Sequence, residues 1–200
     1  MRLLPALAML ALLAASPALG DGRFEALRER AERLDSLEAF LSRYVGACND
    51  PYERRTCLEN VAAARRALAG KTFAVRVNDA TSLVRVELRG DGFLLLVTPF
   101  VDGGGLALTH GQPRSQDAAG HPLISFIPIR GSLPPGTMEM DFQSPFRSGM
   151  VEMEIVFRPE GTWKMKRKGE AGYFEGVAAR FLGVRLIDAR TGGEIAARVL

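Results

Sequence analysis

Two histidines, two aspartates and three consecutive glycines fall within the 24 residues from Thr98 to His121. Asp102, His110, Asp117 and His121 are the residue types that hold a divalent cation, provided the loop from Gly111 to Gly120 folds back on itself. On that reading the chain is a metal-dependent hydrolase. Another reading of the same residues needs no chemistry. His110 ends a strand, His121 enters one before Pro122, and Gly103, Gly104 and Gly105 let the backbone turn. The spacing matches no metal motif, so no metal is favoured and Asp102, His110, Asp117 and His121 are expected to form a ligand-binding surface. The glycines fit neither a Walker loop nor a dinucleotide fingerprint, because no GK[ST] and no strand–GxGxxG–helix context accompanies them. No GxSxG elbow exists, and Ser115 or Ser148 near an imidazole is composition alone. No catalytic residue is assigned and no cofactor is predicted.

A second chemical candidate is the run Lys164, Lys166, Arg167, Lys168 beside Trp163, which could meet an anion or a membrane surface. The expected strand register weakens it by pairing Lys166 and Lys168 with glutamates. The basic residues are 22 Arg and 4 Lys, the Arg are scattered, and the formal net charge is only +3, so nucleic acid is not an expected partner. Cys48 and Cys57, the two cysteines of the chain, lie at adjacent helix ends with eight residues between them, and a disulfide is the simplest reading in an exported protein.

The elements that carry these residues follow from periodicity. Val151, Met153, Ile155 and Phe157 alternate with more polar positions, and Trp163 and Met165 alternate with lysines after Arg158-Pro159-Glu160-Gly161. This predicts an antiparallel hairpin turning at Pro159–Gly161, with Phe157 opposite Trp163, Ile155 opposite Met165, Glu154 opposite Lys166 and Glu152 opposite Lys168. An amphipathic helix is expected over Gly22–Tyr44 and a second from Pro51 to about Leu68, ending at Gly70. From Lys71 onward, short strands separated by turns are expected, including Phe73–Val77, Leu106–His110, Pro122–Ile129, Met138–Gln143, Gly172–Asp188 with a break, and Glu194–Val199. Gly90-Asp91 reads as a two-residue turn, which accounts for the Arg89-Gly90-Asp91 tripeptide. Ahead of all this, Arg2, the apolar run Leu3–Ala15 and Ala18-Leu19-Gly20 form an export signal over residues 1–20, with cleavage expected before Asp21 and no transmembrane segment thereafter.

Thr98-Pro99-Phe100, Gly103-Gly104-Gly105, Leu108-Thr109-His110-Gly111, Phe157-Arg158-Pro159-Glu160 and Trp163-Lys164 together resemble a family of functionally uncharacterised exported bacterial proteins, a domain of unknown function. The resemblance implies no activity. The expected architecture is α+β: a helical hairpin over residues 21–70, stapled by Cys48–Cys57, packed on an antiparallel β-sandwich or open β-barrel over residues 71–200. The expected function is a non-catalytic binding or structural module of the periplasm or cell envelope, periplasmic or secreted, with an envelope or extracellular ligand. The hydrolase built on Asp102, His110, Asp117 and His121 is the alternative. An assembly factor that packs the Gly22–Tyr44 helix on a partner is a third class.

Overall fold

The computed structural model describes residues 22–46, 48 and 50–200, so the expected signal segment and the start at Asp21 lie outside them. Its central object is a ribbon of two 16-residue strands, β8 (Val151–Lys166) and β9 (Tyr173–Asp188). The expected hairpin at Pro159–Gly161 does not form. β8 runs straight through it, Glu154 lies opposite Arg185, and Lys166 lies opposite Tyr173. The turn falls instead at residues 167–172, where Gly169 (φ 78°) and Gly172 (φ 104°) take the left-handed backbone that the reversal requires, while Gly161 does not.

Pro159 is tolerated because the ladder is irregular there. Phe157, Arg158 and Pro159 pair with Phe181, Arg180 and Ala179, one step out of the register kept by the pairs on either side. The two shifts leave one surplus residue on each strand, Leu182 on β9 and Glu160 on β8. Such bulges bend the ribbon and change which sequence positions face which side. Phe157 therefore packs in the main core, whereas Trp163 belongs to a separate cluster with Ala107 and Ala178. The expected Phe157–Trp163 pairing is overturned because both residues lie on β8, where they pair with Phe181 and Gly176. Trp163 is nevertheless buried, at 4% exposure.

The other elements assemble on this ribbon. In chain order they are α1 (Gly22–Glu29), β1 (Glu32–Arg33), α2 (Leu37–Val45), α3 (Arg54–Leu68), β2 (Phe73–Val77), β3 (Val84–Arg89), β4 (Gly92–Val97), β5 (Phe100–Gly103), β6 (Leu106–His110), β7 (Ile127–Ser132) and α4 (Glu139–Arg147), with β10 (Glu194–Val199) last. One sheet has the order β1-β2-β8-β9-β6-β5 with β10 also on β9, and a second has β3-β4-β7. Pairing is antiparallel except for β1 with β2 and β6 with β9. The fold is thus mixed α and β with four α-helices among the described residues, mostly antiparallel, and not a closed barrel.

The continuous helix expected over Gly22–Tyr44 is two helices with a strand between them. Ser36 ends the break, its hydroxyl accepting the Ala39 N–H (3.1 Å) as an N-cap, while Glu32 and Arg33 join β2. The second expected helix is α3, which begins at Arg54 instead of Pro51. Asp50 caps the turn before it by accepting the Tyr52 N–H (2.8 Å). Cys48 and Cys57 form the expected disulfide. Arg65 of α3 donates to the carbonyls of Tyr44 (2.7 Å) and Val45 (3.1 Å), satisfying the free end of α2.

The strand expected at Met138–Gln143 is the start of α4. Phe142 and Pro145 are buried three residues apart, while Met138 and Met140 are exposed, so the period is helical. The strand expected at Pro122–Ile129 is displaced to Ile127–Ser132, and Pro128 lies on a sheet edge as proline requires. Leu106–His110, Glu194–Val199 and the Gly90-Asp91 turn stand as expected.

The main core is one apolar cluster that draws residues from both sheets. Phe73, Ile155, Phe157, Phe181 and Leu186 from one sheet meet Leu95, Val97 and Ile129 from the other, with Phe40 and Leu41 of α2 and Phe142 of α4. Phe40, Phe73 and Phe157 form a ring triad with centroids 5.1–5.9 Å apart. On the opposite face of the large sheet, α1 covers one half of the ribbon through Phe24, Ala74 and Val156.

Candidate functional site

The site is organised by the point where β6 leaves the large sheet. β6 runs parallel to β9 as far as His110 opposite Ala179, and Ala179 O accepts the Gly111 N–H (2.9 Å). Gly111 (φ 76°) then turns the chain away. The next free N–H along that edge of β9, that of Phe181, is accepted by His110 Nδ1 at 3.0 Å, so the imidazole takes the place of the missing carbonyl. Nδ1 is thereby unprotonated, and the neutral ring carries its proton on Nε2. Burial holds the His110 pKa below its ordinary value; Glu160 pulls it back up and Arg180 pushes it further down. Glu160 and Arg180 are themselves paired at 3.6 Å.

From Gly111 the loop forms a groove of about 660 Å3 with His110, Gln112, Arg114 and Ser115 on one side and Leu123, Ile124 and Ser125 on the other. Leu123 N–H donates to Ser115 O (2.8 Å), joining the two walls. Beyond Ser115 the loop closes on itself. Asp117 Oδ1 accepts the His121 N–H (2.9 Å), and Asp117 N–H donates to His121 O (2.9 Å). Asp117 Oδ2 lies 3.5 Å from His121 Nδ1. The His121 N–H bond is the main reason the Asp117 carboxyl titrates below its ordinary value, with the His121 charge adding to it. Gln116 Nε2 donates to Lys166 O (2.6 Å) and ties this loop to the end of β8.

The expected site residues therefore separate into three places. Asp117, half-buried, and His121, exposed, come together as the closure of a small loop. His110 lines the groove and serves β9. Asp102 caps the β5–β6 turn, accepting the Gly105 N–H (3.0 Å). It lies opposite Ala107, three residues or about 10 Å along β6 from His110 at an ordinary strand rise. Among the described residues no group of three or more His, Cys, Asp or Glu side chains is placed to hold a metal ion.

Sequence reasoning missed Gln112, Arg114, Leu123 and Ser125, which have no motif and meet only because the loop doubles back. It also missed a half-buried ion-pair network on the α1 face. Arg185 binds Glu154 and Glu25, and Arg28 pairs with Glu25 at 2.7 Å. Arg185 Nε donates to Glu154 at 3.1 Å. Glu25 and Arg185 are 160 residues apart in the chain, so no local signal joins them.

The segments around Thr98–Gly111 and Phe157–Lys164 thus converge on one region: the end of β6, the bulges of the ribbon and the loop between. A family model described as Family of unknown function (DUF6066) matches residues 1–199. The chain belongs to this family. No curated protein and no solved structure matches the chain. Among the described residues no helix is long and apolar enough to cross a membrane.

Proposed function

We propose that this DUF6066 chain is an exported, non-catalytic binding or structural module of the bacterial periplasm or cell envelope, its two sheets packed as a sandwich that presents the His110–Ser125 groove to a ligand. The observation that carries this reading is the lining of that groove. A cation (Arg114), an imidazole, an amide and two hydroxyls face a cleft with apolar residues, Leu123 and Ile124, on one wall. Polar groups that fix orientation beside an apolar wall are the ordinary make-up of a ligand site. Arg114 favours a ligand carrying a carboxylate or another anionic group. A metal-dependent hydrolase on Asp102, His110, Asp117 and His121 gains no comparable support, since among the described residues no three such side chains are placed to hold a metal ion.

Two measurements test the proposal. Amide chemical shifts are followed while carboxylate-bearing sugars and short acidic peptides are titrated in. Shifts confined to residues 110–115 and 123–125, and abolished by Arg114→Ala, are expected. Elemental analysis of the purified protein gives the opposing result: a stoichiometric transition metal, lost in His110→Ala, overturns the non-catalytic reading.

A further inference from the structure

The end of the β8–β9 ribbon is built unlike the rest of the sheet. β2 pairs with β8 only over Met153–Phe157, and β6 pairs with β9 only over Gly176–Ala179. The last three pairs, Lys164–Glu175, Met165–Phe174 and Lys166–Tyr173, are therefore two-stranded, flanked by the loop that bonds Lys166 O through Gln116 and sets His121 against Phe174. On this end of the ribbon stand Lys164, Lys166, Arg167 and Lys168 against two carboxylates, Glu170 and Glu175. Lys164 pairs with Glu175 (3.1 Å) and Arg167 with Glu170 (3.4 Å). Lys166 and Lys168 are exposed and have no acidic partner among the described residues. The glutamates expected to neutralise them are engaged elsewhere: Glu152 binds Arg76 and Glu154 binds Arg185.

Aromatic side chains flank these charges. Tyr173 is 51% exposed, with Lys164 Nζ 4.5 Å above its ring. Phe174 is half-buried beneath the Arg167 guanidinium at 4.4 Å. Lysine at an open strand edge also guards against edge-to-edge pairing, which accounts for Lys164 and Lys166. It does not account for Lys168, which lies in the turn, or for an exposed tyrosine at the tip.

We propose that this ribbon tip docks on an anionic lipid bilayer surface, with Lys166 and Lys168 against the headgroups and Tyr173 at the interface. Two features argue for it. The free positive charge at the tip complements anionic headgroups, and an amphipathic ring beside it suits the depth at which tyrosine settles in membranes. The proposal is independent of the groove and its ligand.

The test is co-sedimentation of the full chain with phosphatidylcholine vesicles, with and without phosphatidylglycerol, at low and high salt. An apolar leader, where retained, is common to every chain compared. Binding that requires phosphatidylglycerol, weakens with salt and drops about fivefold per lysine removed, so about twenty-five-fold in Lys166→Gln/Lys168→Gln, is expected. Tyr173→Ala should weaken binding in a way that salt does not change. An unchanged thermal transition in the variants shows that the fold is kept. Equal binding by parent and double variant, equal binding to phosphatidylcholine alone, or lysine-dependent retention on heparin without any vesicle binding each overturns the proposal.

Discussion

The two halves of the β8–β9 ribbon share one alternating pattern and meet opposite surroundings. Over Met153–Phe157, β8 has β2 on one side and β9 on the other, the main core on one face and α1 over the other. Over Gly161–Lys166 its one strand partner is β9, with a small cluster around Trp163 and the loop held by Gln116 at Lys166. Alternation reports only that one face is apolar; the number of covering layers is decided by the rest of the chain. The first half is therefore where stability resides, and the second is free to meet a partner.

The sharpest way to break this contrast is to truncate one core ring. Phe157→Ala should cost about 3–5 kcal/mol, because the ring is fully buried against Phe40 and Phe73. Met165→Ala in the outer half should cost clearly less. Urea unfolding of both variants measures the difference, and equal losses would show that the two halves are equally loaded.

A smaller effect is expected where the halves join. A Cβ added at Gly176 would lie 1.9 Å from Ala107 O, a backbone atom that cannot move without separating β6 from β9. Gly176→Ala should cost roughly 2–3 kcal/mol and speed amide exchange along β6 ahead of β2. Exchange that rises equally in both strands would refute a local opening.

The smallest effect is acid-dependent. His110 is neutral in the folded chain and its pKa is lowered by burial. The unfolded chain takes up that proton near pH 6.5, so this contribution to stability is present above that value and is lost as pH falls through it toward the folded pKa. His110→Gln can still offer Phe181 an acceptor but does not titrate. It should flatten the fall in denaturation midpoint between about pH 7.5 and about pH 5.5. An unchanged slope would place the acid sensitivity elsewhere.

Much of this ribbon was legible from alternation, but its turn was not. Pro159-Glu160-Gly161 has turn composition, and the register it suggested put acid against base on one face. The true register does the same, with Glu154 meeting Arg185 instead of Lys166. Charge pairing across a ladder is thus satisfied by more than one register and does not select between them. The turn glycines, 169 and 172, lay just beyond the lysines that had been assigned to a strand. Helix breaks were misplaced for a related reason: apolar spacing continues through Glu32–Arg33, and only the Ser36 cap marks the interruption. At the candidate site, the closeness of Asp117 and His121 follows from a four-residue loop. The groove depends on a loop of irregular backbone doubling back, which periodicity does not report.

The surplus residues Glu160 and Leu182 give the ribbon slack. A strand normally cannot lose one position without turning everything downstream to its other side. Here, deletion of Glu160 closes the ladder from Pro159 to Gly161 and leaves Trp163 over Ala107 and Ala178, whereas deletion of Glu154 reverses the buried stretch before it reaches a bulge. The denaturation midpoint reads that distinction directly: kept near the parent value in the first deletion and lowered in the second. Length changes in relatives of this chain should accordingly collect at the two bulges, where the ribbon can be re-cut without exchanging its wet and dry sides.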